Sequence, residues 1–195
     1  MRWPLAGVIA LHPPLGRTIL TAFPQAGLLG SYRKLDMDVH SAIFNLLEEA
    51  FERKAWHGPN LWQSLRGVTA KQAAWRPAPD RHNIWEEVLH AAYWKYVVRR
   101  KLEGGKRGRF VLAGSNFFPR PEPGKLNEAA WQADKQILRQ EHRALRRAIQ
   151  TSVREPISPK LGTLLSGIAF HDIYHAGQIR LLRRLMEGKA RSSRV

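Results

Sequence analysis

Near the end of the chain two histidines, His171 and His175, stand four residues apart in a stretch, 170–179, whose apolar residues recur at helical spacing. In an α-helix an i, i+4 pair is rotated by about 40° and separated by a rise of roughly 6 Å, so both imidazoles leave one face. Leu164, Ile168, Leu182 and Met186 share that stripe, which makes it the inward side of an amphipathic helix and demands a partner surface to cover it. A single histidine in such a place is commonly a core residue satisfied by a backbone carbonyl. Two side by side are harder to accommodate, because each desolvated ring needs its own partner unless one cation serves both.

The rest of the chain must therefore supply helices to pack against this one. With 195 residues, 44% hydrophobic content and no cysteine, it is long enough to form one soluble domain with a core that needs no disulfides. The lack of cysteine excludes thiolate metal sites and cysteine nucleophiles, and it suits a cytoplasmic location. No apolar run is long enough to suggest a membrane span. The formal charge of +16, from 32 basic against 16 acidic residues, favours encounters with polyanions at low salt. No nucleic-acid motif accompanies that charge, so specific nucleic-acid binding is not expected and a solvated basic surface is the plainer reading.

Taken in order, residues 1–33 carry Pro4, Pro13, Pro14 and Pro24 and read as an extension outside the core, since no helix of ordinary length fits between them. A signal peptide is the rival reading, but Pro13 and Pro14 follow its short apolar run and no small-residue cleavage site is evident. A first helix is predicted over 36–54, with Asp36 or Asp38 as cap and Val39, Ile43, Leu46, Leu47, Ala50 and Phe51 as its stripe. A connector follows, with turns at 61–65 and a short piece capped by Thr69; His57 sits in it as a loop residue. The second helix starts at Asn83, where Glu86 completes a capping pattern, and runs to Gly104, with Leu89, Tyr93, Tyr96 and Val97 facing the core. Residues 106–125 form a long basic loop whose aromatics can roof a pocket. The third helix spans 127–149, with Ala130, Ile137, Leu145 and Ile149 inside and Arg139, Arg143, Arg146 and Arg147 largely outside. The fourth spans 163–187 and is expected to stop at Gly188. The predicted fold is thus an all-α four-helix bundle over 34–190 with long crossover connections, followed by a basic tail over 191–195.

His90 lies on the second helix, one turn from Glu86 and Glu87 on one side and from Tyr93 and Trp94 on the other. Brought together with His171 and His175 it makes a three-nitrogen set, which leaves a four-coordinate ion one position for water or substrate. Either glutamate could accept the second N–H of the His90 ring, or simply favour the positive end of the helix dipole.

These residues resemble the DinB/YfiT-like metal-binding four-helix bundles. The points of likeness are His90 in its Leu89, Ala91, Ala92, Tyr93, Trp94 setting, and the run from His171 through Asp172, Ile173, Tyr174, His175, Ala176, Gly177 and Gln178 to Ile179; the likeness covers roughly 39–187. The resemblance implies one divalent ion (zinc, nickel, iron or manganese) on His90, His171 and His175, and a homodimer. It also implies, for some members, transfer reactions using a low-molecular-weight thiol. Gln178 would cap a hydrogen bond behind the site, and Gly177 would permit close helix packing.

Three functions are then in competition. The first is a metal-dependent enzyme, of thiol S-transferase type, that activates a thiol or water toward a small-molecule substrate. The second is a metal-binding stress-response protein without turnover. The third is nucleic-acid binding through the arginine face, which predicts affinity falling steeply with salt.

Overall fold

The structure, a computed structural model, describes residues 38–105 and 108–192. The extension expected over 1–33 lies outside them, as do residues 193–195 of the expected tail. The described residues form six helices: α1 (Val39–Phe51), α2 (Leu61–Ser64), α3 (Ala70–Ala74), α4 (Ile84–Leu102), α5 (Glu128–Ser152) and α6 (Pro159–Ser192). The four long ones are the expected bundle helices, α2 and α3 are the short turns of the first connector, and the described residues include no strand.

Each helix start is set by a side chain that satisfies an otherwise orphaned backbone N–H. Asp38 accepts from the Ser41 N–H at 2.7 Å, Asn83 from that of Glu86 at 2.9 Å and Asn127 from that of Ala130 at 2.9 Å. Thr69 and Asn83 form full capping boxes with Gln72 and Glu86. The last helix departs from expectation at both ends. It begins at Pro159, one turn before Thr163, because a proline in the first turn gives up no intrahelical hydrogen bond. It also runs through Gly188 to Ser192, since a single glycine costs a helix only about 1 kcal/mol and good helix formers surround this one.

Helix α4 packs against both α5 and α6, and α6 also lies along α1. One apolar cluster gathers Trp85, Leu89, Tyr93 and Phe118 with Phe51, Trp131 and Ile179; a second gathers Leu47, Val98, Leu145, Ile149, Leu165 and Ile168. The stripes differ in detail from those read off the sequence. Val39 is 56% exposed, because the buried side of α1 begins at Leu47. On α5 the deeper positions are Trp131 and Leu138 rather than Ala130 and Ile137, with the Trp131 indole N–H satisfied by the Val68 carbonyl at 2.8 Å. The arginine face is only partly solvated. Arg139 lies over the Trp62 ring and pairs with Glu52, and Arg146 lies over Phe44 and pairs with Glu48.

The central helix sets the chemical problem. From Ile84 to Tyr93 every residue of α4 is buried, including Glu86, Glu87 and His90, and Lys95 follows. Buried polar groups must find partners. Glu86 meets Arg76, His82 and the backbone N–H of Arg120. Burial opposes its charge, but these donors together hold its carboxyl below the usual range. The partners of Glu87, His90 and Lys95 lie on the loop 108–120, on α5 and on α6.

A candidate metal centre between α4, α6 and the roofing loop

His90 on α4 faces His171 and His175 on α6, and the three rings turn their Nε2 atoms toward one another. His171 Nε2 is 3.1 Å from His90 Nε2 and 3.1 Å from His175 Nε2. Tetrahedral binding of one ion at about 2.0–2.1 Å puts ligand nitrogens roughly 3.3 Å apart. The observed separations are of that size, and the group could hold a metal ion.

The outer nitrogens of two rings fix their tautomers. His90 Nδ1 donates to the Asn116 carbonyl at 3.0 Å; a carbonyl only accepts, so this nitrogen carries the proton and Nε2 is a bare lone pair. His175 Nδ1 donates to the Glu87 carboxylate at 2.5 Å, and in the neutral ring that tautomer leaves Nε2 bare as well. Two lone pairs therefore converge on His171. Its Nε2 could donate one proton to one of them, but the other would stay unmatched, and His171 Nδ1 is buried with no hydrogen-bond partner. A cation among the three nitrogens satisfies all three lone pairs at once, which is the donor chemistry of a divalent metal site.

The rings are available for this at neutral pH. Burial, and then the nearby His175, pushes the His90 imidazole down to about 4. The same influences, with His90 added, push His171 down to about 3. Both are neutral, with a lone pair available to a ligand, where an ordinary histidine is partly protonated.

The loop 108–120 covers one side. Phe117 is stacked between His82 and His90, with ring centroids 3.6 and 4.0 Å away. Asn116, at φ 68°, turns the chain so that its carbonyl meets His90 while its side-chain oxygen accepts from the Trp94 indole at 3.1 Å. On the other side His171 lines a groove of about 290 Å³ together with Trp94, Val98, Thr163, Leu164, Gly167 and Ile168. Of the three rings, His171 borders the groove, while His90 lies under Phe117 and His175 is buried against Glu87.

Several expectations about neighbouring residues change. The acceptor behind His90 is a loop carbonyl rather than a glutamate; Glu87 reaches across to His175, and Glu86 serves Arg76. Gln178 makes no hydrogen bond behind the site. A Cβ added to Gly177 would meet nothing within 4 Å, so close packing inside the protomer does not require this glycine. Asp172 points away from the rings into an ion pair with Lys95, both fully buried. Lys95 also reaches His142 Nδ1 at 3.3 Å, and His142 Nε2 lies 3.3 Å from Glu48. A second group, Glu48, Glu52 and His142, brings three ligand-type atoms together, but Arg146 and Arg139 already neutralise its carboxylates.

Among the described residues no nearby carboxylate is left over for a fourth position on the three rings: Glu87 is held by His175, Asp172 by Lys95 and Glu86 by Arg76. No helix of the described residues is long and apolar enough to cross a membrane. Searches among curated proteins and solved structures return no match. A family model does match, over residues 53–179, a span that contains all three histidines, and on that match the chain belongs to the DinB superfamily.

Proposed function

We propose that His90, His171 and His175 bind one divalent metal ion with an exchangeable position, and that the protein is a metal-dependent enzyme of the thiol S-transferase type acting in the cytoplasm. The observation that carries this reading is the convergence of three imidazole nitrogens, with no carboxylate left over among the described residues to complete the set. An ion held this way keeps its charge uncompensated and supplies Lewis acidity, enough to deprotonate a thiol or lower the pKa of water to about 7.

The chain's own residues do the rest. Asn116 and Glu87 hold the Nδ1 protons of His90 and His175, so that both rings present lone pairs without rearrangement. Phe117 shields His90 from water on the loop side. The groove beside His171 is walled by Trp94, Val98, Leu164 and Ile168 and has no charged side chain, which suits an apolar portion of the electrophilic substrate. Three imidazoles suit zinc, nickel and iron alike.

Elemental analysis of protein purified without added metal tests the first part, with about one ion per chain expected and near-complete loss in His171→Ala. Adding 2-mercaptoethanol to a cobalt-substituted sample tests the second: a sulfur-to-metal charge-transfer band is expected. A loaded site that no thiol or small anion perturbs would identify a sealed centre and end the transferase reading.

A further inference from the structure

Gly105 and the segment 108–116 lie against the second half of α4 and leave two adjoining hollows, of about 470 and 420 Å³, with Tyr93, Tyr96 and Ser115 lining both. Each is large enough for a small organic molecule. Their aromatic wall is braced, since Phe110 stands edge-on to Tyr93 with centroids 5.6 Å apart and lies 5.5 Å from Tyr96. Arg100, Lys101 and Arg109 bring positive charge, and no acidic side chain among the described residues lines either hollow. Glu103 accepts from Arg100 but also from Arg99, so its charge is divided between two guanidinium groups. Tyr96 supplies the observation that points to a ligand. It is 5% exposed, and its hydroxyl is buried without a hydrogen-bond partner, whereas a buried phenol ordinarily finds one. A Cβ built on Gly108 would lie 2.9 Å from that hydroxyl and 3.2 Å from Arg100 Nε, and one built on Gly105 would collide with the Arg100 guanidinium. The two glycines thus keep side chains out of the space where a phenol O–H and a guanidinium come together.

We propose that these hollows form a binding site, separate from the histidine cluster, for a small organic anion: a carboxylate carried on an apolar body. One guanidinium and one hydroxyl match the two oxygens of a carboxylate. Arg100 takes the charge, and the Tyr96 O–H donates a charge-assisted hydrogen bond to the acceptor that it otherwise lacks. The body of the ligand lies against Tyr93, Phe110 and Trp94. Lys101 and Arg109, both exposed, raise the local concentration of anions at the rim. A neutral ligand leaves Arg100 and Tyr96 unanswered, and a bare inorganic anion leaves the aromatic wall uncovered, so the site selects a molecule with both ends. The groove beside His171 has no charged side chain, and the two cavities therefore recognise different chemistry. Trp94 borders both, and Asn116 lines the anion site while its carbonyl accepts from His90. The site thus adjoins the three rings without using any of them, and it stands whether or not they hold a metal ion.

Titration of the full chain with 3-phenylpropionate, followed by nuclear magnetic resonance, tests this. The expected dissociation constant is about 1 mM or tighter, with the Tyr93 and Tyr96 ring signals shifting and the affinity falling as salt rises. The neutral counterpart 3-phenylpropan-1-ol and inorganic phosphate should each bind at least about tenfold more weakly. Tyr96→Phe keeps the ring and removes only the unpartnered hydroxyl, so the fold is not at risk; it should weaken 3-phenylpropionate about tenfold, as should Arg100→Met, with circular dichroism unchanged in both. His171→Ala should bind 3-phenylpropionate like the wild type, which keeps this result apart from the fate of the metal reading. Absence of binding overturns the proposal, and so does an alcohol that binds as tightly as the acid. Wild-type affinity in both Tyr96→Phe and Arg100→Met would place the anion elsewhere, and loss of binding in His171→Ala would place it at the histidine cluster; either result also overturns it.

Discussion

Replacing Lys95 with Met tests the most unusual feature of the interior. Lys95 and Asp172 join α4 to α6 with both side chains at 0% exposure. Removing the ammonium leaves a carboxylate in the core with no cation, and breaking a buried pair from one side costs about 3–5 kcal/mol. Denaturation in guanidinium chloride reads this directly. With a slope of about 4 kcal/mol per molar for a domain of this size, the midpoint should fall by about 1 M. The double variant Lys95→Met, Asp172→Leu should behave differently. Burial is the largest influence on both groups, raising the Asp172 carboxyl and lowering the Lys95 ammonium against the pull of the partner's charge. Asp172 Oδ1, moreover, has no hydrogen-bond partner. The pair thus regains less than its desolvation costs, and two apolar side chains should restore the wild-type midpoint or exceed it. A single variant that loses less than about 1 kcal/mol, or a double variant as unstable as the single, refutes the reasoning.

Three further outcomes follow from the site. Glu87→Gln should lower zinc affinity about 10- to 100-fold, measured by chelator competition, with the circular dichroism spectrum unchanged. The metal-free protein should lose stability in acid: His90 and His171 have folded pKa values of about 4 and 3, below the ordinary value of about 6.5. Between these limits the unfolded chain binds more protons, so the stability is complete above about pH 6.5 and falls as the pH drops toward 4; denaturation midpoints that hold steady from pH 7 to pH 4.5 would contradict this. Asn116→Val should destabilise the fold by about 1–2 kcal/mol, because a branched residue resists positive φ, whereas Asn116→Gly should keep the turn and lose only the contact to Trp94.

What the sequence made legible was whatever one helix encodes by itself. The spacing of His171 and His175, the capping box at Asn83 and Glu86, and the membership of His90 in an inward-facing helix are properties of period 3.6, readable without tertiary knowledge. What depended on the rotation of one helix against another stayed hidden. Glu87 is one turn from His90 on α4, so local reasoning paired those two, yet the carboxylate leaves the helix toward α6 and finds His175. Lys95 sits in an apolar run between Tyr93 and Tyr96, and His142 sits among the arginines of α5; each resembles an ordinary surface residue until the facing helix supplies its partner. The loop carbonyl of Asn116 was invisible for a related reason: any residue has a carbonyl, and only the αL turn directs this one at a ring.

The same helix thus carries two rings of the histidine cluster on one flank, an ion pair on its inner face and an apolar stripe on its outer face, and these differ in how strictly they fix its rotation. Apolar contacts are non-directional and tolerate repacking. A salt bridge between two fully buried side chains does not: turning α6 by one residue, about 100°, would carry Asp172 away from Lys95 and swing His171 and His175 off His90. The pair is therefore placed to set the azimuth of α6, a specificity role that a costly buried ion pair can fill. The double variant Lys95→Met, Asp172→Leu separates the two contributions, since it should keep the stability of the fold while losing the constraint on rotation. Zinc affinity should then fall at least several-fold although the denaturation midpoint does not, and nuclear magnetic resonance should show broadened His171 and His175 ring signals in the metal-free protein. Unchanged affinity with sharp ring signals would mean that core packing alone aligns the rings, and the ion pair would then have no part in building the site.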